Sequence, residues 1–566
     1  MSEQGRNAPI DSRASLETPE HVALPVSLAG PGSRGLAWLV DLLLRLVIVA
    51  LASVVLALAG FDLEGGYGLG TLYILLFLLD WTWYVFWEVV DDGRSPGKRV
   101  FGLRVIRNDG TPIGVRESLL RNLLRAADVL PGFYLVGAAV CGLDPRFRRL
   151  GDLVAGTIVT REGDVESMPA LVPIDRPVGA AEVPSLPRHR RVGPRDRRAL
   201  EEWLVASQRL GVVWSEWVAL RVGDAFAARY RVSSPRSVRV LQRLIAASRQ
   251  ERPELERAVT SGQDQTRDLV RVLAEGGRLQ GDAERASRLV WHLRAVVAEL
   301  GRIREVSPIR AQAAEAAIWR AEVLLHRPRG RGAALSLRPA LGFLFDEFPA
   351  ALRGNWRWFL ASSALFYVPL LFCFVTTALD VDVATHLVPP MQQSALEASF
   401  LETTSRTASS NAGMAGFYVI NNVGIALRAA GAGVLFGVGT AWVLVSNGIS
   451  IGAAFGYCLH IGALGNIVRF TCGHAGWELT AITVAGAAGL RLGAAVIAPG
   501  GRTRMASVRA AGPDVLRLAS GAAAMLAVAA AIEGFWSGWL LPDLAKGVFA
   551  VVQLGLMAVW LRGRRR

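Results

Sequence analysis

Residues 473–498 read GHAGWELTAITVAGAAGLRLGAAVIA. After Glu478 the stretch is apolar or small apart from Arg491, over about twenty residues, the length that carries an α-helix across a bilayer. His474 and Glu478 open it. They stand four residues apart and so share a helix face. A carboxylate at the mouth of a membrane helix faces a partner, a cavity or water, since at the bilayer centre it costs ~2.5–3.5 kcal/mol. Two readings follow: a local His–Glu hydrogen bond that fixes the helix start, or a site for a proton or ligand. A zinc-protease motif is absent, because it needs a second histidine beyond the glutamate.

Around this stretch, residues 338–566 hold apolar runs of spanning length at about 358–379, 425–446, 449–467, 477–498, 515–534 and 545–561. Asn447-Gly448 is expected to break the chain between the second and third. Asn421, Asn422 and Arg428 are the polar residues of one motif, and His474 and Glu478 those of the other. They form a candidate cluster in which Arg428 or the asparagine pair is expected to contact Glu478. The stretch GFYVINNVGIALRAAGAGVLFGVGTAWVLVSNGISIGA, residues 416–453, and the stretch opening at Gly473 resemble the stage II sporulation protein M family. The resemblance runs from about residue 250 to the C-terminus. It implies a multi-spanning bacterial membrane protein without known catalysis. The namesake works with peptidoglycan hydrolases during engulfment in spore formers.

Composition agrees with a membrane protein. Hydrophobic residues make up 52% of 566 and the mean hydropathy is +0.34, too high for an ordinary soluble chain. The formal net charge is +14, and Lys98 and Lys546 are its lysines, so the basic charge is almost all arginine. Such charge is expected to hold cytoplasmic loops against anionic lipid. No basic module with interleaved aromatics appears, so nucleic acid is not an expected partner. Cys141, Cys373, Cys458 and Cys472 are scattered without a CxxC pair, which indicates neither a zinc site nor a disulfide framework. No cofactor motif, metal set or nucleophile–base constellation is legible.

Residues 1–30 form a polar tail without the apolar core of a signal peptide. Spans are expected at about 36–59 and 69–90. Asp41 lies two turns after Arg34 on the same face, and an internal Asp41–Arg45 pair is open as well. The segment VFGLRVIRNDGTPIG suggests two short strands around an Asn108-Asp109-Gly110 turn. Residues 116–143 then suggest a re-entrant or interfacial hairpin, since arginines flank both its ends. SPGKRVFGLRV, LLRNLLRAADVLP and RRLGDLVAGTIV resemble the RDD family over about residues 30–160, with an extension through the following tail to 250 left open. That family is named for an arginine and two aspartates, which Arg34, Asp41 and Asp128 match. It comprises small membrane proteins, some linked to ion or proton exchange. The three residues are expected to form one charge cluster.

Residues 161–195 make a proline-rich, charged linker, and 196–337 a cytoplasmic helical region. Trp203, Trp214 and Trp291 are expected in its core. The fold class is therefore all-α: a polytopic helical membrane protein with a cytoplasmic helical insert between two membrane modules. Arginine-rich termini and loops place both ends, and residues 145–340, in the cytoplasm of a bacterial inner membrane, with eight crossings. The expected function is a non-enzymatic scaffold or regulator of cell-envelope and peptidoglycan-remodelling machinery. Its partners are the lipid bilayer and envelope or cell-wall proteins, met through the helical region or outward loops. The alternative is a transporter or ion/proton exchanger, for which Arg34, Asp41, Asp128, Arg428, Glu478 and Glu533 are charged groups near membrane depth.

Overall fold

The computed structural model describes the chain except residues 1–12, 18–22, 64–65, 130–131, 133, 162–182, 185, 188–190, 234–236, 251–252, 276–282, 307, 326–336, 402–407, 538–540 and 564–566. The protein is an all-α polytopic membrane protein with one small sheet.

The N-terminal part opens with β1 (Arg13–Glu17) and β2 (Ala23–Leu28), then α1 (Pro31–Leu58). Pro31 suits the first turn of α1, where no N–H bond is lost. The buried residues of α1 are Ala37, Asp41 and Arg45, one stripe at four-residue spacing. Its leucines and valines, such as Leu43, Leu46, Val54 and Val55, are exposed. A helix that buries its charges and shows its aliphatics is built for lipid. Next come α2 (Gly66–Trp81) and α3 (Trp83–Val90), bent by 52° to one another. The short α4 (Pro96–Val100) leads to β3 (Leu103–Arg107). Then follow α5 (Val115–Leu123), α6 (Arg125–Asp128), α7 (Leu135–Leu143), α8 (Leu150–Ala155) and β4 (Thr157–Arg161). The sheet order is β1-β2-β4-β3, every pair antiparallel. The Asn108-Asp109-Gly110 turn exists, but the main partner of β3 is β4; across the turn there is a single bridge, Ile106 to Pro112.

The middle of the chain is helical: α9 (Pro194–Tyr230), α10 (Ser237–Gln250), α11 (Pro253–Ala274), α12 (Ala283–Val306) and α13 (Pro308–Leu325). Trp203 is buried as expected, whereas Trp291 is 65% exposed. The side chain of Trp214 lies outside the described residues. Trp319 of α13 docks this block onto the sheet, against Leu16, Leu28, Ile106 and Ile158. Its ring lies over Gly110, which has a positive φ and no side chain to obstruct it.

The C-terminal part begins with α14 (Leu337–Gly342), a π turn (Phe343–Glu347) and α15 (Phe348–Gly354). There follow α16 (Trp356–Leu379), α17 (Val381–Leu387), α18 (Pro390–Phe400) and α19 (Ala408–Tyr418). A π turn (Val419–Val423) joins α19 to α20 (Gly424–Gly431), and a 3-10 turn (Ala432–Val434) ends the run. Then come α21 (Val438–His460), α22 (Leu464–Thr471), α23 (Ala475–Ile497), α24 (Arg504–Ile532), a π turn (Glu533–Ser537) and α25 (Asp543–Arg562). The helix α23 is the stretch that opened the sequence, and it sits at the centre with most of its length buried.

Two boundaries differ from expectation. The break foreseen at Asn447-Gly448 is not there, because α21 runs through it. Asn447 caps its own turn by donating to the Val443 carbonyl. Gly448, Gly452 and Gly456 are contact glycines instead: a side chain at each would collide with Phe366, Leu370 or Thr377 of α16. The true turn is at Phe436-Gly437, both with positive φ. The expected spans 425–446 and 449–467 are thus replaced by a helical run ending at Val434 and by α21. Six helices are long and apolar enough to cross a bilayer: α1, α16, α21, α23, α24 with its π turn, and α25. The bent pair α2–α3 makes a seventh if it crosses as one broken span.

The two membrane modules share one core. Leu120, Leu123 and Leu124 of α5 and its end, Ala127 of α6 and Val154 of α8 pack with Ala426, Ala481, Val484, Val508, Ala511 and Val515. The helix α5, part of the segment in which the sequence suggested a re-entrant or interfacial hairpin, is buried between the modules. Gly431 lies against the Leu123 carbonyl, and Gly70 of α2 against Ala412 and Gly413 of α19.

Candidate functional site

Two polar clusters stand out, one in each module. The first is organised by α5 and α8, which bring basic and acidic residues to the start of α1 and the end of α3. Asp152 is fully buried and accepts from Arg34 Nη2 at 2.7 Å and Arg121 Nε at 2.8 Å. Arg121 continues to Glu88 at 2.8 Å, which also receives Lys98 at 2.5 Å and Ser118 at 2.7 Å. Arg149 lies 3.9 Å from Asp152 and 3.7 Å from Asp128. Burial works to raise the Asp152 pKa, but Arg34, Arg121 and Arg149 outweigh it and hold that carboxyl well below the usual range. Burial pushes the Asp128 carboxyl up to about 6, helped by the negative Asp152 and opposed by Arg149 and Arg34. Burial lowers Lys98 to about 8 against the pull of Glu88.

Arg34 and Asp128 thus belong to one network, centred on Asp152. Asp41 stands beside it with partners of its own: Ser95 Oγ at 2.5 Å and the Gly97 amide at 2.8 Å. Gly97 allows this approach because a side chain there would collide with the Ala37 carbonyl. Arg45 pairs with Asp80 at 3.4 Å, not with Asp41 among the described contacts. Asp80 also takes Arg125 at 3.1 Å and acts on Arg428 across the module boundary.

The second cluster lies where the start of α23, the end of α24 and the start of α25 meet. His474 is 2% exposed. Its Nδ1 is 2.8 Å from Ser537 Oγ, and its Nε2 is 3.6 Å from Glu533 and 3.9 Å from Glu478. The Lys546 ammonium donates to the Ser537 carbonyl at 2.9 Å. Phe470 meets the imidazole edge-on, and a side chain at Gly473 would collide with the Trp536 ring. Arg469 and Asp543 close the rim with two hydrogen bonds of 2.6 and 2.9 Å. The ligand-type atoms of His474, Glu478 and Glu533 lie within 4.8 Å of one another.

The structure brings His474 and Glu478 together but not the rest of the expected group. Asn421 donates to its neighbour Asn422 at 2.7 Å, and the Arg428 guanidinium folds back over Gly424. No contact of Arg428 or the asparagines with Glu478 occurs among the described residues. Glu533 takes that place. It was visible in the sequence only as a buried charge, because its partners come from another helix.

Comparisons with known families agree with the division of the chain. The model of the RDD family matches residues 28–156. The model of stage II sporulation protein M matches residues 362–538. The chain joins an RDD segment at its N-terminal side to a stage II sporulation protein M segment at its C-terminal side. No curated protein and no solved structure matches the chain.

Proposed function

We propose that this multi-pass protein is a non-enzymatic scaffold or regulator of peptidoglycan-remodelling machinery in the bacterial cytoplasmic membrane, with both termini cytoplasmic, a topology in which α2–α3 and the broken helical run from Ala408 to Val434 cross along with the six long helices. The observation that carries the reading is the shared core of the two modules, in which Leu120, Leu123 and Ala127 pack with Ala481, Val484 and Val515. A body joined in this way presents the helices α9–α13 at a fixed place, since Trp319 seats them on the sheet. That block is the surface for cytoplasmic partners, and α17 and α18 are the surface for partners on the outer side. The match to a family named for stage II sporulation, together with the wall-hydrolase role that the resemblance implies for its namesake, points in the same direction. Deleting residues 196–325 in the cell tests it. The expected result is altered wall cross-linking with a protein that still reaches the membrane. Unchanged wall composition in the deletion strain and in a null strain would overturn the proposal.

The second reading is an ion or proton exchanger, favoured by the Asp128 network and by the pairing of Glu478 with Glu533 around His474. Reconstituting the full chain in liposomes separates the two. The scaffold gives no ion or proton flux above empty vesicles, and the exchanger gives flux that Glu478→Gln abolishes.

A further inference from the structure

We propose that His474, Glu478 and Glu533 form a binding site for a divalent transition-metal ion, zinc by ligand type. One imidazole nitrogen and two carboxylate oxygens are a donor set for such an ion. Zinc holds these atoms at about 2.0–2.2 Å, which puts tetrahedral neighbours roughly 3.4 Å apart. The observed His474 Nε2 separations, 3.6 Å to Glu533 and 3.9 Å to Glu478, exceed hydrogen-bond reach and sit slightly wide of that spacing. All three ligand-type atoms lie within 4.8 Å of one another, so rotation of the two glutamate side chains would have to draw them in to that spacing.

The surroundings fit a metal site in three further ways. Ser537 Oγ engages Nδ1 at 2.8 Å. With Nδ1–H donating to that hydroxyl, the Nε2 lone pair is directed at the carboxylates, the arrangement that outer partners impose on ligand histidines. Glu533 and Ser537 occupy the two ends of a π turn, a local helix distortion that recurs at functional sites. Finally, two carboxylates held close together at a buried helix junction repel each other, and a divalent cation between them relieves that repulsion. The loop before α23 is pinned as well, by Trp536 against Gly473 and by Gln553 donating to the Cys472 carbonyl at 3.4 Å. The inference rests on neither functional reading above.

The test uses the full chain purified in detergent, stripped with a chelator, reloaded with zinc sulfate, desalted and measured for metal content. The expected result is about one zinc per chain, lost in His474→Ala and in Glu533→Gln. Glu397→Gln, away from the cluster, keeps it. Ser537→Ala weakens affinity by about 10–100-fold, the effect of losing an outer hydrogen bond to a ligand. If the ligand variants fail to accumulate, X-ray absorption on the wild-type protein decides. A nitrogen/oxygen shell without sulfur supports the site, and a sulfur shell, which would implicate the cysteines, overturns it. A wild-type chain that retains no zinc, or variants that retain as much, also overturns it.

Discussion

Asp152 carries the N-terminal network. It receives Arg34 and Arg121 directly, while Asp128 meets its nearest described cation, Arg149, at 3.7 Å. Breaking a buried pair from one side leaves a stranded charge and costs ~3–5 kcal/mol. Asp152→Asn is therefore expected to lower the amount of protein in the membrane sharply, more than Asp41→Ala, whose partners Ser95 and the Gly97 amide are uncharged. Immunoblots of membrane fractions check the order, and equal levels would contradict it. Asp128 behaves differently. Its folded pKa, about 6, lies above the ordinary value of 3.8. The folded state then binds the proton more tightly, so its contribution is present below about pH 4 and lost as pH rises through 6. Between pH 5 and 7.5 the wild type should lose more stability than Asp128→Asn, by roughly 1.4 kcal/mol, the part of the linkage that remains at pH 5. Parallel melting curves in detergent would expose a wrong sign. Arg34 and Asp128 are singled out by the resemblance and do share the network, whereas Asp41, expected with them, keeps Ser95 and Gly97 as partners of its own. The centrality of Asp152 was not legible, because its partners come from α1 and α5.

The central helix α23 was readable from the sequence because a long apolar run has few other fates. The ends of α21 were not. Asn-Gly is a strong turn signal in water, but here Asn447 satisfies its own turn and Gly448 makes room for Phe366. The real turn, Phe436-Gly437, lies in VLFGVG, where no polar residue marks it. The four-stranded sheet was missed for a related reason: β4 is short, and its partners β2 and β3 lie far from it in the chain. Close packing of α21 on α16 makes a plain forecast. Gly452→Leu drives a side chain into the Leu370 carbonyl and should greatly reduce the folded protein in the membrane. Gly555→Leu on α25 meets open space and should be tolerated. Size-exclusion profiles of the two variants in detergent measure this, and similar profiles would remove the packing account.

At the scale of the whole molecule, the division into modules was legible, and their union was not. Nothing in the sequence said that Leu120 and Leu123 would meet Val484 and Val515, since α5 looks like any amphipathic helix at a membrane surface. The proposed orientation rests on the distribution of arginine, and it can be checked. Reporter fusions at Gln250 are expected to read cytoplasmic and at Ser399 external. An external reading at Gln250 would reverse the proposed topology. The central claim is that both membrane modules form a single body. Its most direct measurement is to split the chain within residues 162–182 and express the halves together and apart, each with its own tag. The shared core predicts that the halves co-purify from membranes, and that the N-terminal half alone is degraded because its Leu120–Ala127 face has lost its cover. Halves that accumulate independently and do not co-purify would contradict it.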